Sequence, residues 1–327
     1  MTTLLLVLSL FLTVDQSASP IKVDTGRRDT LKLSEITAHV KTISLNQAPD
    51  MPLVAHTDKY LFFNGYDVIK QYGTEGKFIR TIFDKGVIYN ICVDEAGQRL
   101  FVFIRENDAN YLSVYDFFGQ QKGKYKIAYP PIACSFFKGK LYILSCEMTA
   151  QSKGSKYRLS TFDMNTQKEH FLSFETFEQF ASTDKNVLIA APGCFFVHKD
   201  ILHFNIAGKK SIYQIVNNKV STALTWELSG IKQGLKEDLC IYNSYYADNY
   251  LIIRYLLRAT TQSGDHTIYT YIVTPDGEHY NLHPQPTGGV LYDDLKSRRY
   301  IELRNSGGKE NLSYYLNGKT LYIVKLK

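Results

Sequence analysis

The sequence predicts an all-β fold: a six-bladed β-propeller of four-stranded blades, its ring closed by an N-terminal strand. Three observations carry that prediction. A polar turn of up to three residues followed by a run of β-formers returns six times along the chain. Repeats spaced by a few tens of residues are the mark of arrays and propellers. A second kind of turn recurs between the copies, so each unit holds four strands. Aromatic residues make up 13% of the 327 residues, with 24 Tyr against one Trp, and long helical patterns are few. Such composition favours sheet.

The chain opens on MTTLLLVLSLFLTVDQSAS, which reads as a secretory signal. Leu4–Leu12 is too short to span a bilayer and fits the apolar region of such a signal. Ser17-Ala18-Ser19 offers small residues for cleavage. Residues 1–19 are therefore expected to be a signal peptide, and residues 20–327 one propeller. The mature chain is expected to be exported, to the periplasm or the cell exterior, and monomeric. No later segment is apolar enough to cross a membrane. No cysteine stands near the cleavage site, the first being Cys92, so lipid attachment there has no acceptor.

The six copies are Asp58-Lys59 before YLFF, Gly97-Gln98 before RLFVF, Lys138-Gly139 before KLYIL, His198-Lys199-Asp200 before ILHF, Asp248-Asn249 before YLIIRY, and Asn317-Gly318 before TLYIVKL. Leu61, Leu100, Leu141, Leu202, Leu251 and Leu321 are expected to hold the same place in each. Outer turns follow at Gly73–Gly76, Phe118-Gly119-Gln120, Met164-Asn165-Thr166, Asn217-Asn218 and Pro275-Asp276-Gly277. Asn, Asp and Gly between alternating runs are the hairpin signal. Five units are complete. The sixth ends with its last hairpin at Lys327, one strand short. VKTISL (Val40–Leu45) is the unassigned β-run that supplies it, and closure removes edges that invite aggregation. The insertion Glu175–Ala191 is expected to hold a short helix.

Four stretches carry a resemblance: LSEITAHVKTISL, IKQYGTEGKFIRTI, GGVLYDDL and TLYIVKLK. They resemble a family of secreted bacterial six-bladed propellers related in shape to NHL and TolB-type propellers. The resemblance covers nearly the whole mature chain and implies the fold. It brings no catalytic motif to carry over. Many members are lipoproteins, a feature this chain departs from.

The chemistry-bearing residues each have an ordinary structural explanation. Cys92, Cys134, Cys194 and Cys240 fall on the predicted inner strands of consecutive blades. A ring of thiolates could hold a metal, but structural sites usually use close Cys pairs, which this chain lacks. Packing in small apolar slots near the axis is the expected role. A disulfide between Cys134 and Cys146 would have to cross a hairpin a few residues out of register. His279 and His283 are four apart near a strand end, a spacing without ligand geometry there. His198 and His203 flank a turn and are expected to point to opposite faces. Asp293-Asp294 in LYDDL could bind calcium or do acid–base work; the expected role is a turn between blades. No serine elbow, phosphate loop or dinucleotide fingerprint occurs. The net charge of +6 is spread without a dense basic run, which argues against nucleic acid as a partner.

The loops between second and third strands, and between blades, should converge on one face of the disc. Tyr89, Arg105, Tyr129, Asn205, Arg258 and His266 lie on or beside them, with Tyr245 and Arg254 on nearby strand ends. These eight are the candidate ligand-binding residues, since Tyr and Arg anchor interfaces and Tyr stacks on sugars. The expected function is an exported binding or scaffold module for a protein or carbohydrate, without cofactor. The alternative is a calcium-dependent hydrolase or lyase with its site at the central channel.

Overall fold

The computed structural model describes residues 20–24, 28–49, 53–83, 86–148, 154–179, 194–206, 208–229, 239–258, 266–286, 289–305 and 313–327. Residues 1–19, where a signal peptide is expected, lie outside the described residues. The chain begins with β1 (Ile21–Asp24), a single helical turn α1 (Leu33–Ile36) and β2 (Thr37–Ser44). Blade 1 is β3 (Leu53–His56), β4 (Tyr60–Asn64), β5 (Ile69–Gly73) and β6 (Phe78–Phe83). Blade 2 is β7 (Val87–Asp94), β8 (Arg99–Glu106), β9 (Ala109–Asp116) and β10 (Gln121–Ile127). Blade 3 is β11 (Pro131–Phe137), β12 (Lys140–Met148), β13 (Gly154–Asp163) and β14 (Lys168–Gln179). Blade 4 is β15 (Cys194–His198), β16 (Ile201–Asn205), β17 (Ser211–Val216) and β18 (Lys219–Ser229). Blade 5 is β19 (Leu239–Ala247), β20 (Tyr250–Arg258), β21 (His266–Val273) and β22 (His279–Leu282). A small hairpin, β23 (Leu291–Tyr292) and β24 (Tyr300–Ile301), leads into β25 (Arg304–Asn305), β26 (Ser313–Asn317) and β27 (Thr320–Leu326).

In each of blades 1 to 5 the four strands pair in chain order. The first strands β3, β7, β11, β15 and β19 touch their neighbours, so they form the inner ring. The sixth blade runs β25-β26-β27-β2. The N-terminal strand therefore closes the ring, with Val40 opposite Val324 and Ile43 opposite Leu321. The predicted turns hold. Asn217 and Asn218 both take positive φ, 52° and 61°, as a two-residue hairpin requires. Gly76 has φ 92°, and a Cβ there would collide with the Ser44 carbonyl, so the outer turn of blade 1 locks onto β2.

Alternation of side chains turns each blade into two apolar faces, and each junction is one cluster. Ile82 and Phe83 of blade 1 pack with Leu100 and Val102 of blade 2. Phe101 and Phe103 meet Leu141 and Ile143 of blade 3. Leu144 and Leu159 meet Phe204 and Ile215 of blade 4. Leu61 and Phe63 of blade 1 meet Ile43 and Leu321 across the closure. The largest cluster joins blades 4, 5 and 6 with the N-terminal residues Val23, Leu31, Leu33 and Ile36.

Two expectations are corrected, for Leu321 and for the pair His198 and His203. Leu321 lies on the third strand of its sheet, whereas the other repeat leucines lie on the second. A two-residue hairpin looks alike at either junction, so sequence spacing could not tell them apart. The insertion does not begin as a helix: β14 continues as strand through Gln179, and residues 180–191 lie outside the described residues. His198 and His203 share one face, their rings 6.1 Å apart. His203 pairs with Phe196, two residues from His198, so the histidines are diagonal neighbours across the hairpin. Cys134 stands opposite Ile143, while the Cys146 N–H donates to the Pro130 carbonyl; both are free thiols.

One element has no counterpart in the sequence reading. β1 adds to blade 4 as a fifth strand, parallel to β18, with Val23 opposite Leu228. From there the chain crosses blade 5. Asn281 donates its side-chain amide to the Asp24 carbonyl and its N–H to the Asp29 carboxylate. The N-terminal segment is thus a strap over blades 4, 5 and 6.

Candidate functional site

The eight candidate residues do not converge. They divide between two places on the ring, and two of them flank a loop. Arg258 ends β20 and His266 begins β21, opposite each other in register around residues 259–265, which lie outside the described residues, as do both side chains.

The first place is at the junction of blades 4, 5 and 6. Asn205 closes β16 and is fully buried. Its Oδ1 accepts from the Cys194 N–H at 3.2 Å and from the Cys194 thiol at 3.0 Å. The same thiol lies 2.9 Å from Asn243 Oδ1. Burial pushes the Cys194 pKa up to about 12, with the Ser244 backbone and Arg254 opposing, so the sulfur is a neutral thiol and not a nucleophile. Arg254 forms an ion pair with Glu302. Tyr245 is 1% exposed and donates to the Leu303 carbonyl. Burial raises its pKa further. β19 runs from the loop side toward the turn at Asp248, which carries Tyr245 away from the loop face and into the core. This cluster ties three blades together near the axis.

The cysteines elsewhere on the inner ring behave alike. Cys92 belongs to the apolar seam between blades 2 and 3 and Cys134 packs against it. Cys134 donates to Asn90 Oδ1 at 3.4 Å, and burial, reinforced by Cys92, holds its pKa well up. Asp293 is fully buried, and its carboxylate accepts the backbone N–H groups of Leu295, Lys296 and Ser297 and the Tyr315 hydroxyl. Asp294 accepts the Ser34 N–H and hydroxyl. Asp293 thus holds its own turn and the Tyr315 hydroxyl, while Asp294 ties that turn to α1 through Ser34.

The second place is the shoulder between blades 2 and 3. Tyr89 is half-buried on β7 beside Arg105, which is exposed at the end of β8 and pairs with Asp108 at 2.7 Å. Tyr129 lies on the short link 128–130 from β10 to β11. That link is pinned on both sides. The Ala128 N–H donates to Glu169, whose other oxygen accepts the Ser160 hydroxyl at 2.6 Å. The Pro130 carbonyl accepts from Cys146 at 3.0 Å. Over the Tyr129 ring, at 4.5 Å, sits the Arg158 guanidinium. Phe171 meets Tyr129 edge to face at 5.9 Å and is 48% exposed.

Arg158 pairs with both Glu147 and Glu175, and Lys156 pairs with Glu175 at 2.6 Å. Burial works against the Arg158 charge, but Glu147, Tyr129 and Glu175 outweigh it and its pKa is raised. The Lys156 hydrogen bond, aided by Arg158, lowers the Glu175 pKa. A bulge assembles the group. Arg158 faces Glu175 while Ser160 faces Phe171, so β14 spends extra residues between Phe171 and Glu175. Regular pairing from Glu175 would have set Phe171 opposite Phe162, further from Arg158. Leu172 and Phe174 turn inward onto the seam with blade 4. Sequence reasoning found Tyr129 but not Arg158, Phe171, Glu147 or Glu175. The one signal on the chain was the aromatic–acidic alternation of EHFLSFETFE, whose register no local rule fixes.

No protein-family profile matches this chain, and no curated protein matches it. Solved structures do. A Bacteroides fragilis protein inferred to be exported superposes with a TM-score of 0.63 at 12% identity, over 94% of this chain and 100% of that one. A Xanthomonas campestris gluconolactonase gives 0.49 at 11% identity, over 96% and 99%. BamB from Moraxella catarrhalis gives 0.46 at 12% identity, over 88% and 99%. The first establishes a shared fold.

Proposed function

We propose that the mature chain is an exported binding propeller, a scaffold that presents its ligand surface at the shoulder between blades 2 and 3. The ligand is a protein or a glycan. One observation carries the reading: exposed Phe171 on β14, backed by the half-buried Arg158 of β13 and by Tyr129 on a link pinned from both sides, forms an aromatic–guanidinium platform. Holding such groups rigid lowers the entropy lost on binding, which is what a binding site needs and a solvated surface does not. Export rests on the N-terminal signal and on the likeness to a protein inferred to be exported.

The test is a screen of purified envelope proteins and glycans against the mature chain. Tyr129→Ala is expected to weaken a ligand found there by about 2 kcal/mol. Lys77→Ala, in the outer turn of blade 1, is expected to leave it unchanged. The opposite contrast puts the site on the wrong part of the ring. Chelator-sensitive turnover of a lactone or an oligosaccharide replaces binding with the calcium-dependent enzyme.

A further inference from the structure

We infer that the ligand of this platform is an uncharged carbohydrate, seated with one sugar ring against Phe171. The inference rests on the binding reading above and narrows it.

The charges come first. Arg158 and Lys156 are matched by Glu147 and Glu175, each in a direct pair. The four side chains sum to zero. A protein carboxylate or an anionic polymer finds the guanidinium already held at both terminal nitrogens. With its charge compensated and two carboxylates beside it, the guanidinium offers an added anion no net attraction and sets like charge against it. A neutral polyol has no such conflict. Glu175 and Glu147 remain partly open, with side chains 47% and 37% exposed. A carboxylate has about four lone-pair sites, so each keeps acceptors free for ligand hydroxyls.

Shape comes second. The Phe171 ring is large, exposed and braced by Tyr129. A sugar presents one face of C–H groups to such a ring while its hydroxyls reach outward to planar polar groups. Here those groups lie beside the ring, because the β14 bulge brings Phe171 level with Ser160 while Glu175 stays opposite Arg158. A protein hot spot is usually a desolvated pocket that buries an anchor. Here the half-exposed Phe171 ring is bordered by Glu147, Glu175 and Lys156 rather than enclosed in an apolar pocket, which suits a sugar ring laid flat.

The test is affinity electrophoresis and calorimetry of the mature chain against neutral polysaccharides (an α-glucan, a β-1,3-glucan, a xylan and a mannan), with polygalacturonate and heparin as anionic contrasts. At least one neutral polymer is expected to bind. Phe171→Ala should lose tenfold or more, while Phe171→Trp retains binding. Phe171 is exposed, so both variants should keep the parent melting temperature. Glu175→Gln removes one negative charge from the shelf and is expected to bring in polygalacturonate. Binding of only the anionic polymers, or of no polymer at all, overturns the inference. If that happens while a protein ligand still depends on Tyr129, the binding platform stands and only its carbohydrate ligand falls. If neither kind of ligand depends on Tyr129 or Phe171, the platform itself falls.

Discussion

Val40 stands directly opposite Val324, so the first and last long strands among the described residues share one ladder. Both side chains are buried, and Val324 packs in the cluster that also holds Val23 of the strap. The ends of the chain are thus fastened twice, once at blade 6 and once along the outside of blade 4.

The two fastenings should separate on mutation. Val40→Asp places a charge in the closing seam and is expected to cost about 3 kcal/mol or more. Deleting residues 20–45 removes both fastenings and should give an aggregating chain. Val23→Asp should release β1 alone, lowering the melting temperature while the chain stays monomeric. Thermal melts with light scattering check all three. A truncated chain that melts like the parent as a monomer removes the closure argument.

Acid should weaken the fold through His203. Its ring stacks on Phe196 and its Nδ1–H donates to the Ile201 carbonyl at 3.0 Å. Burial lowers its pKa from 6.5 to about 4, opposed by that carbonyl. The folded value lies below the unfolded one, so the unfolded chain takes up the proton first. This contribution is whole above about pH 6.5 and is lost as the pH falls toward 4, to a total of about 3 kcal/mol. His203→Phe keeps the stacked ring and removes the titration. Its melting temperature should fall less between about pH 7 and about pH 4.5 than the parent's. Identical pH profiles for the two proteins would contradict the shifted histidine.

Asp293 tests the calcium expectation. Burial opposes its charge, but Ser297, Tyr315 and the neighbouring N–H groups outweigh this and lower its pKa. Asp293→Ala strands several buried donors and is expected to cost about 3 kcal/mol. Chelator should leave the parent's melting temperature where it was. A chelator-induced drop that Asp293→Ala abolishes would make this carboxylate a cation ligand.

Blade number and hairpin positions were legible because each depends on local chemistry, and the closing strand followed by elimination. Asn217-Asn218 and Asp58-Lys59 announce turns by themselves, and the unpaired Val40–Leu45 run had one place left to go. Leu321 misled because its turn is as good at the second junction as at the first. β1 was invisible because IKVD is too short to signal a strand without β18 beside it. The platform was half legible. Tyr129 follows from loop position, but Arg158 and Phe171 meet through a bulge, and bulge register is settled by packing on Leu172 and Phe174. Asn205 and Tyr245 misled for a related reason: polar and aromatic strand ends look available for a ligand until neighbouring blades bury them.

Closure across the whole chain has a consequence for time. Synthesis delivers Thr37–Ser44 long before Thr320–Leu326. Until the second arrives, the first has no ladder to join, and the outer faces of blades 1 and 6 stay open. Contacts this distant in sequence make for slow folding. The exposed edges of the waiting chain are where aggregation competes. The strand that gives the finished ring its durability is the one that leaves the nascent chain longest at risk.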